Sequence, residues 1–246
     1  MNIFILILIG FIAGVINTIA GGGSLLTLPM LIFMGLPPAI ANGTNRIAIL
    51  IQNFFSTAGF QSKGIKTFPF SIWMGVAALL GSIVGAYLGA IYFKGAIFNK
   101  ILAVVMVLIV IYMIFKPKSL FTPNQEQTKG KQFWILLIAF FFIGIYGGFI
   151  QAGTGIFIIL ALNSLGKMSL VKANAVKTIV VILYTLSALA IYAYHNKIDY
   201  TIGLTLAIGN SLGAWFSSRY SVDKGDQLVR WFLIVMVSVM AVKLWL

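Results

Sequence analysis

Arg46 and Lys177 are cations set inside long apolar runs, where a charge is costly and usually faces a partner or a water-filled path. The four acids of the chain, Glu126, Asp199, Asp223 and Asp226, all fall in the connections between those runs. No carboxylate within the runs can neutralise either cation, so a small anion is the natural counter-charge. Arg46 can hold an oxyanion through two parallel N–H groups. The competing reading is that both side chains snorkel to an interface. Two glycine-rich breaks add a second chemistry. Residues 14–24 read Gly-Val-Ile-Asn-Thr-Ile-Ala-Gly-Gly-Gly-Ser, and residues 148–155 read Gly-Phe-Ile-Gln-Ala-Gly-Thr-Gly. Glycine permits a tight turn and leaves backbone N–H groups open to a ligand. A helix starting just after the break aims its partial positive charge at the same place. Ser24, Thr27 and Thr154 bring hydroxyls, Asn17 and Gln151 bring amides at matching positions, and Asn45 precedes Arg46. The candidate substrate-binding set is therefore Asn17, Gly21, Gly22, Gly23, Ser24, Asn45, Arg46, Gln151, Gly153, Thr154 and Lys177. The plainer alternative is that the glycines only allow turning or close packing.

Other chemistries are disfavoured by inventory. Cysteine is absent, which excludes disulfides and thiolate sites. The single histidine, His195, sits beside Asn196-Lys197 at the end of an apolar run, where a surface role is expected. A Ser24–His195 hydrolase pair would need that histidine at the depth of the serine, so no catalytic residue and no enzyme activity are expected. No cofactor and no metal site are expected either, and positive embedded charges argue against a cation carrier. A carboxylate proton relay is not available within the runs.

The elements that must position these residues are membrane helices. The chain is 61% hydrophobic and 9% charged with a mean hydropathy of +1.05, beyond what a soluble domain of 246 residues could bury. The formal charge of +13 fits lysines at membrane boundaries better than a nucleic-acid partner. Apolar runs predict ten segments, at 2–19, 24–34, 39–60, 68–93, 97–115, 133–151, 155–164, 170–194, 200–218 and 228–246. The first reads as a retained helix, lacking a basic flank and a small-residue cleavage site. Trp73, Trp134, Trp231 and Trp245 lie near segment ends, as an aromatic belt would.

The two halves match. Ala20-Gly21-Gly22-Gly23 aligns with Ala152-Gly153-Thr154-Gly155, Ala41-Asn42 with Ala173-Asn174, and residues 81–85 with 209–213. Domain organisation follows as a first transmembrane repeat at 1–115, a linker at 116–132 and a second repeat at 133–246. Segments 24–34 and 155–164 rise only about 16 Å against a hydrocarbon core of about 30 Å, so neither crosses alone. Each is either half of a broken span or the return arm of a re-entrant hairpin. The hairpin reading collects 11 cations on one side and 4 on the other, with Arg46 and Lys177 set aside. The broken-span reading divides them 8 against 7. The positive-inside rule favours the hairpin, with 116–132 cytoplasmic and both termini outside. Three crossings plus a hairpin per half is an odd count, so the halves are inverted. Gly81, Gly85, Gly89, Gly209 and Gly213 have the small-xxx-small spacing of close helix packing, and Gln52-Asn53 and Asn210-Ser211 are polar pairs within spans.

These residues resemble the TauE/SafE family of sulfite and organosulfonate exporters. The resemblance rests on Gly21-Gly22-Gly23, Leu28-Pro29-Met30-Leu31, Gly35-Leu36-Pro37-Pro38, Ala41-Asn42-Gly43-Thr44-Asn45 and Gly153-Thr154-Gly155, and it covers the whole chain. Thr154 departs from the family pattern, in which glycine is common there, and no proline follows the second break. The resemblance implies an all-α polytopic membrane protein of the inner membrane that exports small anions, with sulfite, organosulfonates and related sulfur oxyanions the usual candidates. The expected partners are the small anion, the lipid bilayer and, in a homo-oligomer, further copies of the chain. An anion channel using the same cavity, or carriage of another small substrate such as a carboxylate, is the alternative.

Overall fold

A computed structural model describes residues 3–91, 96–115, 126–220 and 242, and its described secondary structure is entirely helical. Among the described residues nine helices are defined: α1 (Ile3–Ala20), α2 (Ser24–Phe33), α3 (Pro38–Ser62), α4 (Phe70–Ile91), α5 (Ala96–Phe115), α6 (Gly130–Phe149), α7 (Thr154–Ser164), α8 (Leu170–Tyr194) and α9 (Tyr200–Tyr220). Among the described residues α1, α4, α6 and α8 are long and apolar enough to cross a bilayer. The expected all-α polytopic class holds. The tenth predicted segment, 228–246, lies outside the described residues apart from position 242, and so do Trp231 and Trp245. Trp73 and Trp134 stand exposed near the starts of α4 and α6. The predicted boundaries hold to within a few residues, the largest shift being at α6, which starts at Gly130 rather than 133.

The repeat is visible in the bounds of the helices. α3 and α8 each contain 25 residues, and each begins four residues before its asparagine, Asn42 or Asn174. Both end in the same turn. Gly64 and Asn196 take positive φ, and the following N–H groups of Ile65 and Lys197 donate back to the carbonyls of Phe60 and Tyr192. Each short helix starts beside a glycine, Gly23 before α2 and Gly153 before α7. α2 carries Pro29 inside it, which removes one helical donor and suits a segment of only ten residues.

The short helices double back. Gln127, just before α6, donates its backbone N–H to the carbonyl of Gly166, just after α7, at 2.9 Å. Glu126 pairs with Lys172 near the start of α8. The two ends of the α6–α7 unit therefore lie together. In the first half Gly23 packs back onto Ala13 and Asn17 of α1.

The fourth helix of each half packs on the other half. α4 lies against α6 and α8, and α9 lies against α1 and α3. Glycines set both seams. A methyl on Gly10 or Gly14 would strike the backbone of Leu206 or Asn210, and one on Gly81 or Gly85 would strike Phe141 or Ile145. Residue numbers rise together along each seam, so these pairs run parallel, and the small residues let backbones touch where side chains would hold them apart. α3 and α8 cross antiparallel, with Asp199 N–H on Thr44 Oγ1 at 2.8 Å near one end and Thr57 Oγ1 on Thr178 Oγ1 at 2.8 Å near the other.

Candidate functional site

The two glycine breaks meet. Gly21 takes φ +76° and Gly153 φ +73°, the left-handed turn each hairpin tip needs. A Cβ on Gly21 would strike the backbone of Gly155, and a Cβ on Gly155 would strike Gly21, so the tips touch main chain to main chain. Ser24 fastens them, with Gly153 N–H donating to its Oγ at 3.0 Å and that Oγ donating to the Gln151 carbonyl at 3.3 Å. Thr154 Oγ1 donates to the same carbonyl at 2.8 Å. Gln151 also has positive φ (67°), rare for a residue with a side chain, and its Nε2 donates to Thr185 Oγ1 at 3.4 Å. Gly22 is buried at the tip, and Gly23 is the N-cap residue of α2.

Arg46 and Lys177 do not converge on one point. Arg46, wholly buried on α3, donates Nη1 to the carbonyl of Gly147 at 3.0 Å and Nη2 to those of Gly148 and Asn42 Oδ1. Its guanidinium lies 4.6 Å from the ring centroid of Tyr192, and Asn42 donates to the next carbonyl, Phe149 O, at 2.7 Å. Lys177, equally buried on α8, donates Nζ to the carbonyls of Asn17 at 2.6 Å and Thr18 at 3.0 Å and to Asn174 Oδ1 at 2.7 Å. Asn174 donates to Ile19 O at 3.0 Å. Each cation and its asparagine thus close the C-terminal end of the broken helix of the opposite half. The last carbonyls of a helix lack intrahelical donors, and inside a membrane no water is available to replace them. Snorkelling to an interface does not occur for either side chain.

All eleven sequence-predicted residues are buried. Gly21, Gly155, Ser24, Gln151, Gly153 and Thr154 form one junction. Asn17 joins Lys177 through its carbonyl, while its Cβ packs by Gly23. Asn45 Oδ1 accepts from Thr27 Oγ1 at 2.7 Å, and Asn45 Nδ2 has no hydrogen-bond partner among the described residues. Arg46 Nε and Gln151 Oε1 are open in the same way. Asn42, Asn174 and Tyr192 lie outside the expected set. Their signal was present, since the matched Ala-Asn pairs anchor the repeat and a helix end within a membrane needs side-chain donors.

The electrostatics of the junction follow. Helix ends carry about half a charge each, negative at the C-termini of α1 and α6 and positive at the N-termini of α2 and α7. The negative ends are closed by Lys177 and Arg46. The N-cap residues of both positive ends are glycines, Gly23 and Gly153, without a capping side chain of their own, and Ser24 Oγ takes the Gly153 N–H. What is left over is positive, and the open donors Asn45 Nδ2 and Arg46 Nε suit an oxyanion.

The model of the sulfite exporter TauE/SafE family matches residues 6–244. The chain belongs to this family. A probable membrane transporter protein of Haemophilus influenzae is 31% identical over 245 residues, covering 98% of this chain and 93% of the relative. The probable membrane transporter protein YfcA of Escherichia coli K12 is 29% identical over 240 residues, with 98% and 88% covered. A probable membrane transporter protein, ORF9, of a Sinorhizobium species is 27% identical over 234 residues, with 95% and 88% covered. No solved structure matches the chain. Both glycine breaks and both cation clamps of this TauE/SafE protein fall inside the matched span, and the protein is a multi-pass membrane transporter.

Proposed function

We propose that this transporter exports small anions, sulfite or an organosulfonate, by alternating access around the junction of the two hairpin tips. One observation carries the reading. Both negative helix ends at the junction are closed by cations while no charged group among the described residues offsets either positive end, leaving about two positive charges in a membrane interior. Described acids do not offset them, since Glu126 and Asp199 lie outside the helices. An arriving oxyanion takes N–H donors from the tips and charge from Arg46 and Lys177, and Asn17, Asn45 and Gln151 orient it. The antiparallel crossing of α3 and α8 and the doubled-back α6–α7 unit fit two inverted repeats, and the charge bias of the sequence supports 116–132 cytoplasmic and both termini outside. Because α4 and α9 are exchanged, the bodies that rock against each other would each combine helices of both halves.

The test is flux into proteoliposomes of sulfite, methanesulfonate, acetate and chloride, with counterflow measured for each. Saturable sulfur-anion flux with counterflow supports the carrier. Flux without saturation or counterflow replaces it with a channel, and preference for acetate moves the substrate to carboxylates.

A further inference from the structure

Gln52 of α3 and Asn210 of α9 form a second polar centre, apart from the cations. Asn210 Nδ2 donates to Gln52 Oε1 at 3.0 Å, and both side chains are fully buried. Gln52 Nε2 and Asn210 Oδ1 have no hydrogen-bond partner among the described residues, and the same holds for Ser211 Oγ. Ser211 shares the α3-facing side of α9 with Gly203, which packs on Thr44, and Ser218, which packs on Gly59. The pair therefore offers one amide donor and one amide acceptor, neither engaged, and the hydroxyl of the next residue on α9, Ser211, is open as well. Turning both amides over exchanges their roles and still leaves one donor and one acceptor open.

The matching place in the other repeat shows that helix packing does not require this. Ser82 stands where Asn210 does, and Tyr184 stands where Gln52 does, ten residues beyond the matched asparagines. Ser82 Oγ donates to the Tyr184 carbonyl at 2.7 Å, and its partner Ser187 Oγ donates to the same carbonyl at 2.9 Å. That cluster satisfies itself. A buried polar atom without a partner is unfavourable, and more so where the surroundings are lipid, so the open atoms of the first cluster call for an occupant.

We propose that Gln52, Asn210 and Ser211 form a second substrate station, uncharged and selective for a singly protonated oxyanion such as hydrogen sulfite. The proposal rests on the anion-transport reading above. The station matches a ligand that both donates and accepts: an oxygen of hydrogen sulfite takes the amide N–H and its O–H gives to the amide carbonyl. A sulfonate bearing only an alkyl group has no O–H and leaves the acceptor open. Among the described residues no cation is bonded to the station, which disfavours a dianion there. Its place along α1, α3 and α9 continues a buried polar line from the Lys177 clamp, by way of Thr18 Oγ1 and Ser56 Oγ at 2.8 Å.

The experiment compares sulfite and methanesulfonate uptake by the wild type, Q52L/N210L, Ser211→Ala and Ser82→Ala in proteoliposomes, with thermal unfolding of each protein measured in parallel. The expected result is a sulfite flux reduced about tenfold in Q52L/N210L and a few-fold in Ser211→Ala, with methanesulfonate flux retained and Ser82→Ala unchanged for both anions. Equal flux of both anions in wild type, Q52L/N210L and Ser211→Ala overturns the station and leaves the anion-transport reading standing. Loss of both anions together in Ser211→Ala, with unfolding unchanged, also overturns its selectivity. If Q52L/N210L does not fold, Ser211→Ala decides alone. A wild type that moves neither anion overturns both readings.

Discussion

The two cation clamps do the same task with different side chains. Arg46 reaches the end of α6 four residues after Asn42, while Lys177 reaches the end of α1 three residues after Asn174. The guanidinium spreads over two carbonyls and an asparagine, lies against Tyr192, and keeps Nε open. The ammonium is a compact point charge whose three donors each have an oxygen. One clamp is saturated and the other is not. An anion approaching the junction can therefore gain a donor from Arg46 without breaking its clamp, whereas it must pull Lys177 from a carbonyl. On the anion-transport proposal, Arg46 is the cation with a donor free for the anion and Lys177 the one fully engaged at the helix end.

Removing the cations tests that assignment most severely. Arg46→Ala leaves the carbonyls of Gly147 and Gly148 uncapped and strips the open donor, so anion binding should disappear and stability should fall by about 3 kcal/mol. Lys177→Met should cost a similar stability but retain measurable binding, weakened about tenfold. Calorimetric titration with sulfite alongside thermal unfolding checks both. Equal loss of binding in the two variants would erase the functional difference between the clamps and leave only their shared role as helix caps.

A second break acts on the tips that both clamps hold. Gly21→Ala combines a left-handed backbone with a collision against Gly155, whereas Gly155→Ala brings the collision alone. Strain and overpacking together put Gly21→Ala at about 2–3 kcal/mol and Gly155→Ala about 1 kcal/mol less. Unfolding of the two variants in the same detergent reads the difference. If Gly155→Ala is the worse, the tips are not held as they are seen here.

Much of this architecture was legible because membrane helices are written in hydrophobicity and breaks in glycine. The extents of α3 and α8, the short α2 and α7, and the buried placement of Arg46 and Lys177 all followed from residue types and from the matched Ala-Asn pairs. The partners of the cations did not. A backbone carbonyl at a helix end carries no side-chain signature, so Gly147, Gly148, Asn17 and Thr18 were invisible as acceptors. The exchange of α4 and α9 was equally hidden, because small-xxx-small spacing shows that a helix packs closely but not against which neighbour. The glycines left out of the site proved to be seam residues, and the sequence had supplied the reason.

The asparagines sharpen the comparison at a smaller scale. Asn42 donates to Phe149 O and to the Tyr192 hydroxyl, each at 2.7 Å, while Asn174 donates to Ile19 O and accepts from Lys177. Asn174→Ala takes an oxygen from the ammonium, which cannot replace it, and should cost about 1.5 kcal/mol. Asn42→Ala removes an acceptor that Arg46 holds only at 3.4 Å, and should cost about 1 kcal/mol. Thermal unfolding in matched lipid separates the two, and the reverse order would mean that the guanidinium depends on its asparagine as the ammonium does.

The gentlest change makes the two sides alike. Tyr192 lies eighteen residues after Asn174, and the residue eighteen after Asn42 is Phe60, so Tyr192→Phe gives both repeats the same aromatic. The ring that faces Arg46 is kept, and with it most of the cation–π attraction. What is lost is a hydroxyl that accepts from Asn42 and donates to Phe149 O at 3.1 Å. Asn42 still has the Phe149 carbonyl, so the loss should stay below about 1 kcal/mol, with sulfite affinity within about threefold of wild type. Titration of Tyr192→Phe with sulfite measures it. A tenfold loss would show that the hydroxyl, rather than the ring, holds Arg46 in place, and the difference between the clamps would then lie in α8 rather than in the cations themselves.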